Sequence, residues 1–218
     1  MVLLKLTIFN KQYFKDREIT SNFRQVMYKQ EVKRIYKILN YNKKKKYNIL
    51  DIGCGDGSFL ENFDNNFSKN GLEISDYALK VLKRKTINCS KKIDFFKEIK
   101  FDLIIFRGSI QLIDTPFEHI KKSISYLKKK GILIFLATPN SNSIFYKINK
   151  TLPMIDDYST YYLPSDIDLE RILKNFEMEI LKIEYPYIKT PYSNLFWDHF
   201  FFLLNFIGLK RNYAFYKN

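Results

Sequence analysis

Three of the chain's seven glycines, Gly53, Gly55 and Gly57, fall within five residues of one another, directly after the apolar run from Tyr47 to Ile52. Glycine admits positive φ and lets a backbone approach a ligand closely, and a loop that opens onto a helix turns its N–H groups toward that ligand. The segment Leu50-Asp51-Ile52-Gly53-Cys54-Gly55-Asp56-Gly57 therefore reads as a nucleotide-binding turn at the carboxyl end of a first strand. An acidic residue, Glu73, follows 20 positions after Gly53 at the end of a second apolar run, where a carboxylate accepts from ribose hydroxyls.

The spacing narrows the choice of nucleotide. A dinucleotide fingerprint of the G-x-G-x-x-G type puts its third glycine at position 58, which is Ser58 here. Asp51 stands two residues before the first glycine, and the glycines follow a G-x-G-x-G spacing. With these residues the segment resembles the first motif of the class I S-adenosylmethionine-dependent methyltransferases. Gly71-Leu72-Glu73-Ile74-Ser75 resembles their second-strand acidic motif, Phe101-Asp102-Leu103-Ile104-Ile105 their fourth strand and Gly131-Ile132-Leu133-Ile134 their fifth. The resemblance runs from about Tyr47 to Asn140.

It implies S-adenosylmethionine as cofactor. Asp51 and the loop residues Gly53, Cys54, Gly55 and Gly57 would hold the methionine portion, Glu73 the ribose, and Ile74 would pack on the adenine. Asp94 is the nearest candidate for the polar residue with which relatives reach the adenine amino group. Arg107 and Gly108, at the carboxyl end of the fourth strand, are expected to border the cofactor, because open sheets bind ligands outside those ends. The stretch Phe106 to Pro116 resembles a subgroup with a Glu-His or Gln-His pair after this strand. The histidine position is Leu112 here, and no catalytic residue is assigned.

Elements must place these residues. Strands are predicted over Tyr47 to Ile52, Gly71 to Ile74, Ile87 to Cys89, Phe101 to Phe106 and Gly131 to Ala137. Helical patterns lie between them over Ser58 to Phe63, Asp76 to Lys85 and Pro116 to Leu127, and such alternation implies a parallel sheet covered on both faces. Before them, Asn22 opens a helix with Phe23, Val26, Met27, Ile35, Ile38 and Leu39 on roughly one face. After them, Ser165 caps a helix to about Lys174, Phe176 to Tyr187 reads as a strand, and Asn194 to Leu209 as an aromatic helix. The expected fold is a three-layer α/β Rossmann-like sandwich with a mostly parallel seven-stranded sheet, its last strand cut short because only a brief tail follows Gly208. The domain expectation is an N-terminal helical extension over 1–45, a cofactor-binding methyltransferase domain over 46–190, and an aromatic C-terminal helix and tail over 191–218.

Composition bounds the function. At 218 residues, 46% hydrophobic and 28% charged, the chain has material for a globular core, which excludes a disordered tail or a collagen-like fibre. Apolar runs such as Phe200 to Leu204 fall far short of the roughly 18 to 20 residues of a membrane span. Met1 to Phe9, broken by Lys5, makes a poor signal peptide. Two cysteines, Cys54 and Cys89, support neither a disulfide framework nor a zinc site, so the expectation is a cytoplasmic protein without a metal. Of the 37 basic residues behind the net charge of +14, 30 are Lys, alongside many Ile, Asn, Phe and Tyr, all types with A- and T-rich codons. Nucleic acid is not an expected partner: Arg, with its bidentate fork, is scarce. Phe106-Arg107-Gly108-Ser109 also stands where amino-directed DNA methyltransferases carry Asn/Asp-Pro-Pro-aromatic.

Methyl transfer from a sulfonium is an in-line displacement that needs alignment above all, with a base helpful for a hydroxyl acceptor. His199 beside Asp198 is the better base candidate, and His119 reads as a surface residue. Tyr158, Tyr161 and Tyr162 either line an acceptor pocket or pack as loop aromatics. The run Asp166 to Tyr187 with Thr190-Pro191-Tyr192 resembles small-molecule and glycan-tailoring methyltransferases, which implies O-methylation of a sugar or similar small metabolite, in one version a lipid-linked polysaccharide precursor. The aromatic helix, apolar on nearly all faces, reads as a packing helix or lid, with interfacial membrane contact or oligomerisation as alternatives. Two rivals to the methyltransferase remain. A NAD-dependent oxidoreductase is disfavoured by Ser58, by the place of Asp51 and by the lack of a Tyr-x-x-x-Lys pair, whereas Leu112 leaves open a non-catalytic partner protein that keeps the pocket.

Overall fold

Five apolar runs pair into one sheet: β1 (Tyr47–Ile52), β2 (Phe67–Leu72), β3 (Asn88–Ser90), β4 (Phe101–Arg107) and β5 (Leu127–Leu136), in the order β3-β2-β1-β4-β5. The computed structural model that shows this describes residues 9–18, 21–150, 152, 155, 159–185 and 195–208. Every pairing is parallel. The two central strands are buried almost throughout, as strands covered on both faces must be.

The chain divides into two compact units, one of residues 1–110 and 115–137, the other of residues 111–114 and 138–218. The first contains the sheet. Its register sets Asp51 beside Gly71 on one side and Ile105 on the other. Side chains alternate along a strand, so Ile49 and Asp51, Gly71 and Glu73, and Leu103, Ile105 and Arg107 all face the same way. That face is covered by Tyr28, Val32 and Ile35 of α2 (Ser21–Ile38) and by Phe59, Leu60 and Phe63 from the stretch after the glycine loop. A shorter helix, α1 (Lys11–Glu18), precedes α2. Helix α3 (Asp76–Arg84) is capped by Ser75, whose hydroxyl accepts from the Ala78 N–H, and it buries Ala78 and Leu82. Helix α4 (Pro116–Tyr126) starts on Pro116, where the missing N–H costs nothing, and buries Ile120 and Tyr126.

The second unit contains α5 (Ile144–Asn149), α6 (Asp166–Asn175) and α7 (Leu195–Phe206), of which α5 and α7 pack on one another. Ser165 caps α6 as its sequence suggests, by accepting from Asp168 N–H. The Asn140 side chain accepts from the N–H groups of Asn142 and Asp166, and Ser141 N–H donates to Pro164, so this loop is closed on itself. Helix α7 leaves Phe196, Leu203 and Phe206 exposed, as is Ile207 just after it. Among the described residues no helix is long and apolar enough to cross a membrane.

Among the described residues the sheet has five strands where seven were expected. Residues 178–185 of the run read as a strand have no ladder partner among the described residues, and the rest of that run from 186 onward lies outside them. β-type composition reports how side chains suit a pleated surface, and tertiary context decides whether such a run pairs. The predicted helix over Ser58 to Phe63 is reduced to one 3₁₀ turn at Leu60–Asn62. Strand β2 begins earlier than predicted, at Phe67. The Lys128 to Lys130 run lies within β5, where Lys128 reaches the buried Asp102 carboxylate at 2.7 Å.

Gly53 has φ +78°, and a Cβ built on it would stand 2.5 Å from Ser109 Cβ, whose hydroxyl is fixed by donation to the Ile52 carbonyl. Gly53→Ala is expected to destabilise the first unit by about 2 kcal/mol or more, through both strain and overlap. Chemical denaturation monitored by tryptophan-independent circular dichroism measures it.

Candidate cofactor site

The site grows out of the register just described. Three adjacent parallel strands end together, and each delivers an ionisable side chain to the same face: β1 gives Asp51, the residue after β2 gives Glu73, and β4 gives Arg107. Between the first two runs the glycine loop.

Glu73 organises that loop. Its Oε2 accepts from Gly55 N–H at 2.8 Å, and its Oε1 accepts from Ile74 and Ser75 N–H, both at 2.8 Å. A carboxylate oxygen offers two lone-pair directions, so Oε2 retains one for an incoming hydroxyl. Burial raises the Glu73 carboxyl above its ordinary range, opposed by the three backbone donors and the charge of Arg17. Gly53 and Cys54 N–H both donate to the Leu72 carbonyl, which ties the start of the loop to the end of β2. Cys54 is buried with its Sγ against Gly71. Its thiol is pushed well above the usual value, first by burial and then by Asp51 and Glu73, which keeps it neutral and unreactive.

Asp51 is the most costly group in the site. It is 1% exposed, and its Oδ1 has no hydrogen-bond partner. Burial pushes its carboxyl up to about 7; Arg107 opposes the rise, and Glu73 and Glu31 add to it. A buried acceptor without a partner carries an uncompensated desolvation cost, which a donor from outside the chain would offset.

Arg107 is enclosed. Its Nε donates to Glu31 Oε2 at 2.8 Å and its Nη2 lies 3.3 Å from Glu31 Oε1, a fork-to-fork pair with a helix residue 76 positions earlier. The guanidinium also lies over the rings of Tyr28 and Phe59, with centroids at 4.4 Å and 5.1 Å. Gly108 N–H donates to Leu136, closing the end of β4 against β5.

The structure thus brings together Asp51, Gly53, Cys54, Gly55, Gly57, Glu73, Ile74, Arg107 and Gly108 at the carboxyl ends of the strands. It does not bring Asp94 to them: that residue is exposed and held by Lys122 at 2.9 Å and by the Tyr126 hydroxyl. His119 is half-buried and His199 exposed, Tyr161 and Tyr162 N–H donate to the Gln111 carbonyl, and Tyr158 lies outside the described residues.

Sequence reasoning missed the contribution of the first two helices. Phe14 of α1 is buried and its ring comes within 3.4 Å of a Cβ built on Gly55; it also stacks on Tyr77 at 5.6 Å. Ser75 Oγ donates to the Phe9 carbonyl at 2.6 Å, and Arg17, bonded to the Tyr13 hydroxyl, acts electrostatically on Glu73. An eight-residue helix carries too little periodicity to be recognised, and no local pattern pairs Glu31 with Arg107.

Comparison with known proteins gives a consistent set of matches. Residues 21–183 match the family model described as a methyltransferase domain. The chain is 27% identical over 162 residues to malonyl-[acyl-carrier protein] O-methyltransferase 2 of Ilyobacter polytropus, a match that covers 67% of this chain and 60% of that protein, so it spans less than two thirds of that relative. It is 30% identical over 172 residues to carboxy-S-adenosyl-L-methionine synthase of Campylobacter hominis, covering 69% of this chain and 70% of that protein. The crystal structure of a SAM-dependent methyltransferase from Archaeoglobus fulgidus has the same fold, with a TM-score of 0.59 at 22% identity over 91% of this chain and 93% of that one.

The raised Asp51 carboxyl has a consequence for stability. Between its ordinary value of 3.8 and about 7, the folded chain keeps a proton that the unfolded chain has lost, so stability falls as pH rises through that window. Asp51→Asn removes this burden and is expected to make the ligand-free protein more stable at pH 8, by about 2 kcal/mol or roughly 4 to 8 °C in Tm. Calorimetric melts of both proteins at pH 4.5 and pH 8 check it: the gap between them should widen with pH.

Proposed function

We propose, for a chain that belongs to the methyltransferase-domain family and has its class I S-adenosylmethionine-dependent fold, that it transfers a methyl group from S-adenosylmethionine to an oxygen atom of a small-molecule acceptor. The observation that carries the donor is the buried Asp51 Oδ1 without a partner, beside a glycine loop whose backbone is held open by Glu73. These residues fit the group. A zwitterionic methionine portion has an ammonium to offer Asp51, and the loop backbone can approach its carboxylate; the remaining lone pair on Glu73 Oε2 suits a ribose hydroxyl. Ile74, 39% exposed just beyond Glu73, offers the apolar surface an adenine ring would cover.

When bound, the sulfonium supplies an already activated methyl group. The chain's own residues then have three tasks. Asp51 and Glu73 fix the two polar ends of the donor; the loop from Gly53 to Gly57 sets its depth; and Phe14 with Tyr77 shields it from water. Alignment of this kind accounts for much of the rate in displacements with a good leaving group.

For the acceptor, the reading is O-methylation of a small metabolite, with a sugar hydroxyl first among candidates. An oxygen acceptor is supported by the O-methyltransferase among the relatives, whose named acceptor is malonyl-[acyl-carrier protein]. Malonyl-carrier protein therefore belongs in the first screen beside nucleotide sugars, scored by the gain of one methyl mass.

Calorimetric titration with S-adenosylmethionine and S-adenosylhomocysteine should give micromolar binding of both, abolished by Gly55→Arg because Gly55 sits at φ +57° against Phe14. Glu73→Ala is expected to weaken binding by about 1 to 3 kcal/mol, through loss of charge-assisted hydrogen bonds. Unchanged affinity in Glu73→Ala would remove the ribose assignment, and no binding of either ligand by the natural chain would remove the function.

A further inference from the structure

Three carboxyl groups and one guanidinium converge behind the glycine loop. Asp51 and Arg107 lie on the same face of adjacent strands, with Arg107 two residues beyond Ile105, the register partner of Asp51. An arginine on the neighbouring strand and the same face could pair with Asp51. Here its fork is committed to Glu31 of α2, its flat faces are occupied by Tyr28 and Phe59, and Asp51 Oδ1 is left with nothing.

We propose that the Glu31–Arg107 pair is a positioning device for Asp51: by holding the guanidinium, Glu31 keeps the Asp51 carboxylate available to the ammonium group of the donor's methionine portion. Glu31 and Arg107 then act on the reaction only through Asp51, and neither needs to touch the donor. The inference rests on the donor reading above.

Geometry keeps the guanidinium on Glu31, whereas the charge of Glu31 by itself works against ionisation of Asp51. The charged and titratable groups that face Asp51 are Arg107 from β4, Glu73 after β2, Glu31 from α2 and the Cys54 thiol in the loop, with Arg17 of α1 acting on Glu73. Arg107 favours the ionised form of Asp51, whereas Glu31 and Glu73 favour the protonated form. Removal of Glu31 or Arg107 must therefore move the titration of Asp51 in opposite directions. Loss of Glu31 has a second effect, since it frees the guanidinium to turn to Asp51 and compete with the ammonium for the same oxygen.

The test is calorimetric titration of the full chain with S-adenosylhomocysteine from pH 6 to pH 8.5. In the natural protein, affinity should rise with pH and level off once Asp51 is ionised. Glu31→Gln should move the midpoint of that rise to lower pH and lower the plateau affinity by about tenfold. Arg107→Gln should move the midpoint to higher pH. Glu31→Asp, which keeps the charge, should restore the natural midpoint, a rescue that a merely packing role would not produce. A flat pH profile in the natural chain overturns the proposal even if no variant folds, as do equal shifts in Glu31→Gln and Glu31→Asp, or shifts of Glu31→Gln and Arg107→Gln in one direction. Failure of the natural chain to bind S-adenosylhomocysteine at any pH overturns the donor reading itself, which separates the two failures.

Discussion

A carboxyl group taken wholly out of water, with one oxygen given no donor, is an expensive thing to build into a core, and the first unit is arranged around that expense at Asp51. The parallel pairing of β2, β1 and β4 brings the group to the carboxyl edge of the sheet. Glu73 beside it takes its hydrogen bonds from the loop backbone, so the loop is shaped before any ligand arrives. Arg107 offsets part of the negative potential, and α2 holds that arginine in place. The result is a carboxyl edge and loop preorganised at the cost of stability, the usual exchange where a ligand is to bind.

The second dependence is on the amino-terminal helices. Phe14, Tyr28 and Glu31 meet loop, ring and guanidinium groups that come from much later in the chain. Helix α2 covers the central strands with Tyr28, Val32 and Ile35 and at the same time reaches the site with Glu31, so a single element couples the core to the cofactor pocket. Burial of the ion pair between two aromatic rings adds little to stability by itself, because desolvation of both partners offsets their attraction; its value lies in the orientation it enforces.

How much of this the sequence made legible follows from the range of each interaction. The strand from Tyr47, the glycine loop and Glu73 all lie within the stretch from Tyr47 to Glu73, and their residue types allow few readings. The caps at Ser75 and Ser165 are likewise local. By contrast, the fork between Glu31 and Arg107 spans 76 positions and leaves no periodic trace. Helix α1 has only Tyr13 and Phe14 as apolar residues in eight, and its burial depends on Gly55 and Tyr77 being near. Asp94 misled for a related reason: its place after β3 suggested a ligand contact, but Lys122 and Tyr126 of α4 claim its carboxylate from across the unit. The run after Phe176 has strand-like residue types, but among the described residues 178–185 join no ladder, and whether a strand-like run pairs is decided by its tertiary surroundings, which its own residue types do not carry.

The alternation that puts Asp51, Glu73 and Arg107 on one face has an evolutionary corollary. Substitutions within the three strands alter the site by degrees, since a changed side chain still points where its predecessor did. An insertion or deletion of one residue in any of them acts differently, because it turns every later side chain of that strand to the opposite face and exchanges an acid for its apolar neighbour, Ile52 in place of Asp51 or Leu72 in place of Glu73. Length variation in descendants of this chain is thereby confined to the loops beyond the carboxyl ends, where it leaves the face that carries Asp51, Glu73 and Arg107 as it is.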